Sequence, residues 1–124
     1  MYHLLLVCAG GAIGAGLRHL SNAAAGRLFG TAFPWGTLTV NIAGCLAMGV
    51  FIELLARRFG GSEAFRLFVA TGLLGGYTTF SAFSLDVAAL WERGAQGAAA
   101  GYVLASVAGA ITALFAGLWL VRSL

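Results

Sequence analysis

The chain has 124 residues, of which 60% are hydrophobic and 9% charged, and its mean hydropathy is +0.94. Ordinary soluble domains are about 25% charged, and small ones bury the smaller share of their surface. A soluble enzyme, a nucleic-acid module and a disordered tail are therefore excluded. A transmembrane helix takes about 20 residues, so the length allows four spans with short connections and almost nothing outside the bilayer.

Span one is expected over about 2–25. It carries Gly10, Gly11 and Gly14, then Arg18-His19 and Ser21-Asn22. The N-terminus has neither the charged start nor the cleavage site of a signal peptide, so it reads as a retained span. Arg18 either snorkels to the interface or serves a pathway. A link holding Arg27, Gly30 and the only proline leads to Pro34-Trp35, a helix start with an interfacial aromatic.

Span two is expected over about 35–55, ending at Arg57-Arg58. Asn41 lies in its middle, with Thr37 one turn earlier on the same face. Asn41 is either interhelical polar glue or part of a permeation path. Cys8 and Cys45 fall in apolar stretches and read as small hydrophobes rather than as a disulfide or metal site. Gly60-Gly61-Ser62 is a turn, with Ser62 as N-cap.

Span three is expected over about 64–93, roughly 45 Å of helix against a hydrocarbon core of about 30 Å. The excess needs tilt, protrusion or a break, and Gly75-Gly76-Tyr77-Thr78-Thr79 offers a break near 75–79. Glycines permit unwinding, and a threonine can cap a second half-helix. Phe80 and Phe83 then share one helix face. The alternatives are a glycine kink with core phenylalanines, or an unwound segment whose carbonyls and new N-terminus meet ions. Asp86 either pairs with an arginine or lines a wet vestibule; Glu53 and Glu92 read as interfacial.

Span four is expected over about 96–121, with small residues at every fourth position: Gly97, Gly101, Ala105, Gly109, Ala113 and Gly117. Such a ladder admits a close helix neighbour. Tyr102, Ser106 and Thr112 either form a polar strip or bond locally to backbone.

All seven basic residues are arginine, and the net charge is +3. They are scattered at span ends, which argues against nucleic acid as a partner. With both termini on one side, Arg57, Arg58, Arg66 and Arg122 oppose Arg27, Arg93 and Arg18. This near balance gives almost no orientation signal. The chain could insert both ways and form an antiparallel dimer.

Three segments carry a resemblance: Gly10–Arg18 (GGAIGAGLR), Gly36–Gly44 (GTLTVNIAG) and Gly72–Ser84 (GLLGGYTTFSAFS). In this order and spacing they resemble the Fluc (CrcB) fluoride channels, across the whole chain. The resemblance implies an all-α membrane protein of four transmembrane helices, the third broken mid-membrane, assembled as an antiparallel dual-topology homodimer. It implies passive export of fluoride through paired pores in a prokaryotic cell membrane, with a structural Na⁺ at the dimer centre. Asn41, Phe80 and Phe83 take the places of fluoride-facing pore residues. Thr37, Ser81, Tyr102, Ser106 and Thr112 resemble the polar strips, and Arg18 and Asp86 the vestibule groups. The carbonyls of Gly75 and Thr78 match those that hold Na⁺. Ala82 stands where relatives carry a hydroxyl, and Asp86 where a glutamate is common.

The competing readings are a small multidrug-type antiporter and a non-conducting assembly subunit. The antiporter needs a carboxylate in span one, which has none, and the assembly subunit leaves Asn41 and the phenylalanine pair without a role. No nucleophile–base pair or metal-ligand cluster points to an enzyme.

Overall fold

The computed structural model describes Met1–Leu124 and contains helices and turns, with no strand. Four helical segments are long and apolar enough to cross a membrane: Tyr2–Phe29, Trp35–Arg58, Glu63–Glu92 and Gln96–Arg122. Only 19 of the 124 residues are buried, while large apolar side chains such as Leu5, Leu85, Leu104 and Phe115 point outward. That is the reverse of a soluble domain, and it suits a chain whose outer solvent is hydrocarbon.

Helix α1 (Tyr2–Phe29) carries Arg27 in its last turn, where a cation meets the negative end of the helix dipole. Helix α2 (Trp35–Arg58) starts directly after Pro34 and closes on Arg57 and Arg58. The connections turn at Gly30, Gly60, Gly61 and Gly94, all with positive φ. The third segment is composite. It opens with α3 (Glu63–Phe65), capped where the Phe65 N–H donates to Ser62 Oγ at 3.4 Å. A π-helical stretch (Arg66–Leu74) follows, in which the Gly75 N–H reaches back to the carbonyls of Ala70 and Gly72. Then come α4 (Gly75–Tyr77) and α5 (Phe80–Glu92), with Thr78 and Thr79 extended between them at φ −81°, ψ 159° and φ −155°, ψ 123°. Helix α6 (Gln96–Arg122) completes the chain.

Two seams join these elements. Helix α1 lies along the π-helical stretch and α4, and α2 lies along α6. The first seam is backbone against backbone: a Cβ on Gly10 or Gly14 would collide with the carbonyl oxygens of Phe68 and Leu73. In the second, Gly49 and Gly117 play the same part against the carbonyls of Leu114 and Leu46. The small-residue ladder of α6 is thus used at one end only, since Gly97 and Gly101 meet open space. The reason is geometric: a step of four residues advances about 40° beyond one full turn, so the ladder winds around the helix and cannot stay on one partner.

Candidate functional site

The site is built around Thr78 and Thr79. An extended pair inside a helical run strips its neighbours of their ladder partners, and in an apolar protein each lost partner must be replaced. Asn41 on α2 replaces two of them. The Thr79 N–H donates to Asn41 Oδ1 at 2.8 Å, and Asn41 Nδ2 donates to the Thr79 carbonyl at 3.0 Å. An amide is a neutral side chain that donates and accepts through two separate atoms, and the two bonds fix which way round it lies. Thr79 caps the new helix, its Oγ1 accepting the Ala82 N–H at 3.1 Å and lying 3.3 Å from Ser81 Oγ. The Thr78 hydroxyl donates to the Leu74 carbonyl at 3.0 Å, and its own carbonyl accepts a long 3.4 Å bond from Arg18 Nη1. Arg18 is therefore turned inward to the interruption. Ser21 Oγ lies 3.1 Å from the Tyr77 hydroxyl and anchors the same region to α1.

A groove of about 340 Å³ opens beside this latch, lined by Asn41, Thr79, Phe80, Phe83 and Ser106 among others. Phe83 is 8% exposed and Phe80 78%, with ring centroids 5.4 Å apart. Asn41 has a second N–H beyond the one given to Thr79. Ser106 Oγ is buried and has no hydrogen-bond partner. No ionisable carboxylate or guanidinium lines this groove; Cys45, read from sequence as a small hydrophobe, does.

A second hollow, of about 380 Å³, is lined by Thr37, Ala82, Asp86, Arg93 and Asn22 together with the Gly30–Gly36 link. Asp86 lines this hollow and accepts from the Tyr102 hydroxyl at 3.0 Å, a tyrosine partner in place of the arginine that was one of the two sequence readings. Arg93 shares the hollow, but its guanidinium donates to the Ala32 carbonyl. Tyr102 is fully buried, and its ring packs on Phe83 at 5.2 Å and on Phe33 at 5.5 Å. Phe83 lines the groove, and Tyr102, packed against it, reaches the Asp86 that lines the hollow.

The chain thus brings Asn41, Phe80, Phe83 and Ser106 to one groove, and Thr37 and Asp86 to the hollow. Ser81 and Thr112 are exposed and line neither space. Gly75 is exposed, and the Thr79 amide that would meet its carbonyl in a continuing helix is turned to Asn41. The sequence reading missed the double bond from Asn41 to Thr79. Its only signal was an amide residue on one span and a Thr-Thr pair after two glycines on another. Glu53, read as interfacial, accepts from both Arg57 and Arg122 and ties the end of α2 to that of α6.

Residues 5–118 match the family described as CrcB-like protein, Camphor Resistance (CrcB). The chain is 71% identical over 124 residues to the fluoride-specific ion channel FluC of Chelativorans sp. (strain BNC1), covering all of this chain and 99% of the relative. It is 67% identical over 124 residues to the protein of that name from Mesorhizobium japonicum, with the same coverage. Against the Rhodopseudomonas palustris (strain BisB5) protein of that name it is 57% identical over 120 residues, 97% of each chain.

Proposed function

The chain belongs to the CrcB family and is a multi-pass membrane protein, and from that premise we propose that it is a fluoride-selective channel that lets fluoride leave the cell passively. The observation that carries this reading is the groove beside Thr79. There a free amide N–H of Asn41 and two phenylalanine rings converge in front of the buried Ser106, with no fixed charge. Fluoride is small and strongly hydrated, so a dry path must replace its water with donors. Amide and hydroxyl protons do so, and ring edges offer the positive rim of the aromatic quadrupole. Neutral donors also hold an anion loosely enough for exit, which an arginine clamp would not. Full-length relatives carrying the printed name of fluoride-specific ion channel support the choice of ion.

Phe80 is 78% exposed, so one chain leaves the groove open along its flank. A second copy, inserted the opposite way, closes it, and the near balance of arginines between the two ends permits both insertions. The third span is then interrupted mid-membrane, where unpaired backbone is tolerated only if buried or lining a cavity. The exposed Gly75 carbonyl, deprived of the Thr79 amide, and the Thr78 carbonyl, held only by a long bond from Arg18, form a donor set that suits a hard monovalent cation such as Na⁺. These oxygens would hold the ion at the subunit boundary as a fixed counter-charge to the carbonyl dipoles. Liposomes containing the purified chain should release fluoride, measured with an electrode, and retain chloride; fluoride release no faster than from empty liposomes would overturn the assignment.

A further inference from the structure

At the end of the bundle away from the Gly94 turn, a hollow of about 420 Å³ lies between the last turns of α2 and α6, lined by Leu54, Arg57, Arg58, Val121 and Leu124. We propose that this hollow binds the headgroup of an anionic phospholipid, with the phosphate against Arg57 and Arg58 and the first acyl carbons along Leu54 and Val121. The proposal is independent of what the groove conducts.

The charges favour an anion. Glu53, the nearby acid, is saturated: Oε1 accepts from Arg57 Nε at 2.8 Å and Oε2 from Arg122 Nε at 2.9 Å. Both contacts use Nε, so the terminal guanidinium nitrogens of Arg57 stay free to form a fork on a phosphate. Arg58 has no ion-pair partner. Arg122 offsets Glu53, and the two lining arginines leave the hollow net positive. Its position selects the source of the anion. The apolar stretch of α2 ends at Ala56, and the arginines follow at once, which places the hollow at headgroup level with its apolar wall turned toward the acyl region. Basic pockets between transmembrane helices suit acidic lipid headgroups. A zwitterionic lipid is disfavoured, because its ammonium would face the same two guanidinium groups.

The test is native mass spectrometry of the detergent-solubilised protein titrated with phosphatidylglycerol, phosphatidylcholine or inorganic phosphate. Phosphatidylglycerol should be retained in preference to phosphatidylcholine, and inorganic phosphate should not displace it. Arg58→Gln, which disturbs no bond of the fold, should lower phosphatidylglycerol retention about fivefold, and Arg58→Lys should restore most of it. Arg57→Gln should lower retention similarly while releasing one oxygen of Glu53. Equal retention of the two lipids, or unchanged retention in Arg58→Gln, would overturn the proposal. Displacement by inorganic phosphate at concentrations matching the lipid would assign the hollow to a free anion and overturn it as well.

Discussion

Replacing Asn41 with aspartate separates the two duties assigned to this side chain. Aspartate keeps an oxygen for the Thr79 N–H, so the 2.8 Å bond survives. It loses the Nδ2 donor, so the Thr79 carbonyl, on a residue only 8% exposed, loses its 3.0 Å partner and faces a carboxylate instead. Leaving one buried polar group unpaired costs about 1–3 kcal/mol, which should lower thermal stability without abolishing the fold. The effect on permeation is larger. A unit negative charge about 4 Å from an anion, at an effective dielectric near 20, disfavours its entry by about 4 kcal/mol, or about a thousandfold. Asn41→Ala tests the complement: it removes both bonds to Thr79 and should cost about 2–6 kcal/mol of stability without adding repulsion. The assay is fluoride efflux from liposomes, normalised to protein recovered at the wild-type elution volume, beside a thermal melt in detergent. Flux in Asn41→Asp within twofold of wild type would refute the reasoning, because no anion could then be passing near this amide.

Phe80→Ile should leave stability nearly unchanged, since that ring is 78% exposed, yet depress fluoride efflux; Phe83→Ile should depress both, because Phe83 is buried against Tyr102. Wild-type efflux in both would return the rings to a packing role. Gly14→Ala should destabilise strongly, its Cβ striking the Leu73 carbonyl, while Gly16→Ala, which meets open space, should be neutral in the same detergent melt. Thr78→Ser should preserve Na⁺-dependent assembly, because the hydroxyl bond to Leu74 is kept, whereas Gly75→Val should weaken it; sizing chromatography with Na⁺ replaced by a large organic cation reads both. Cysteine labels at the termini should react from both sides of the membrane, and one-sided labelling would count against antiparallel insertion.

Composition was enough to read the four membrane-length helices, because apolar runs of that length have few other uses. Pro34 and Ser62 marked two helix starts, where the physical cause is local. The π-helical stretch was not legible. Between Arg66 and Leu74 only Thr71 is polar, and one residue cannot report whether the period is 3.6 or wider. The α6 ladder was legible as small residues but not in its use, because a four-residue spacing rotates away from any one neighbour. In the candidate site, residue types singled out Asn41, Phe80, Phe83 and Ser106, which the fold brings to one groove. The partner choices were hidden, since Asn41 and Thr79 are 38 positions apart, Tyr102 and Asp86 16, and Arg122 and Glu53 69.

On the proposed function, those partner choices would let an interrupted helix line an anion path without trapping the anion. Both backbone groups of Thr79 are met by a neutral amide, and its hydroxyl takes the Ala82 N–H, so these three are paired without a charge in the groove. The cation of the region, Arg18, meets the Thr78 carbonyl and does not line the groove. The carboxylate, Asp86, does not line the groove either and is tied to Tyr102, whose ring packs on Phe83. Had a lysine or arginine taken the place of Asn41, it could have satisfied the Thr79 carbonyl but not the Thr79 N–H, and its charge would hold a desolvated anion too firmly for release. An aspartate could take the N–H but would repel the carbonyl and the anion alike. An amide meets both backbone groups of Thr79 and leaves a proton over for the groove. The same local pairing problem that shapes the fold therefore favours a neutral donor where an anion would pass.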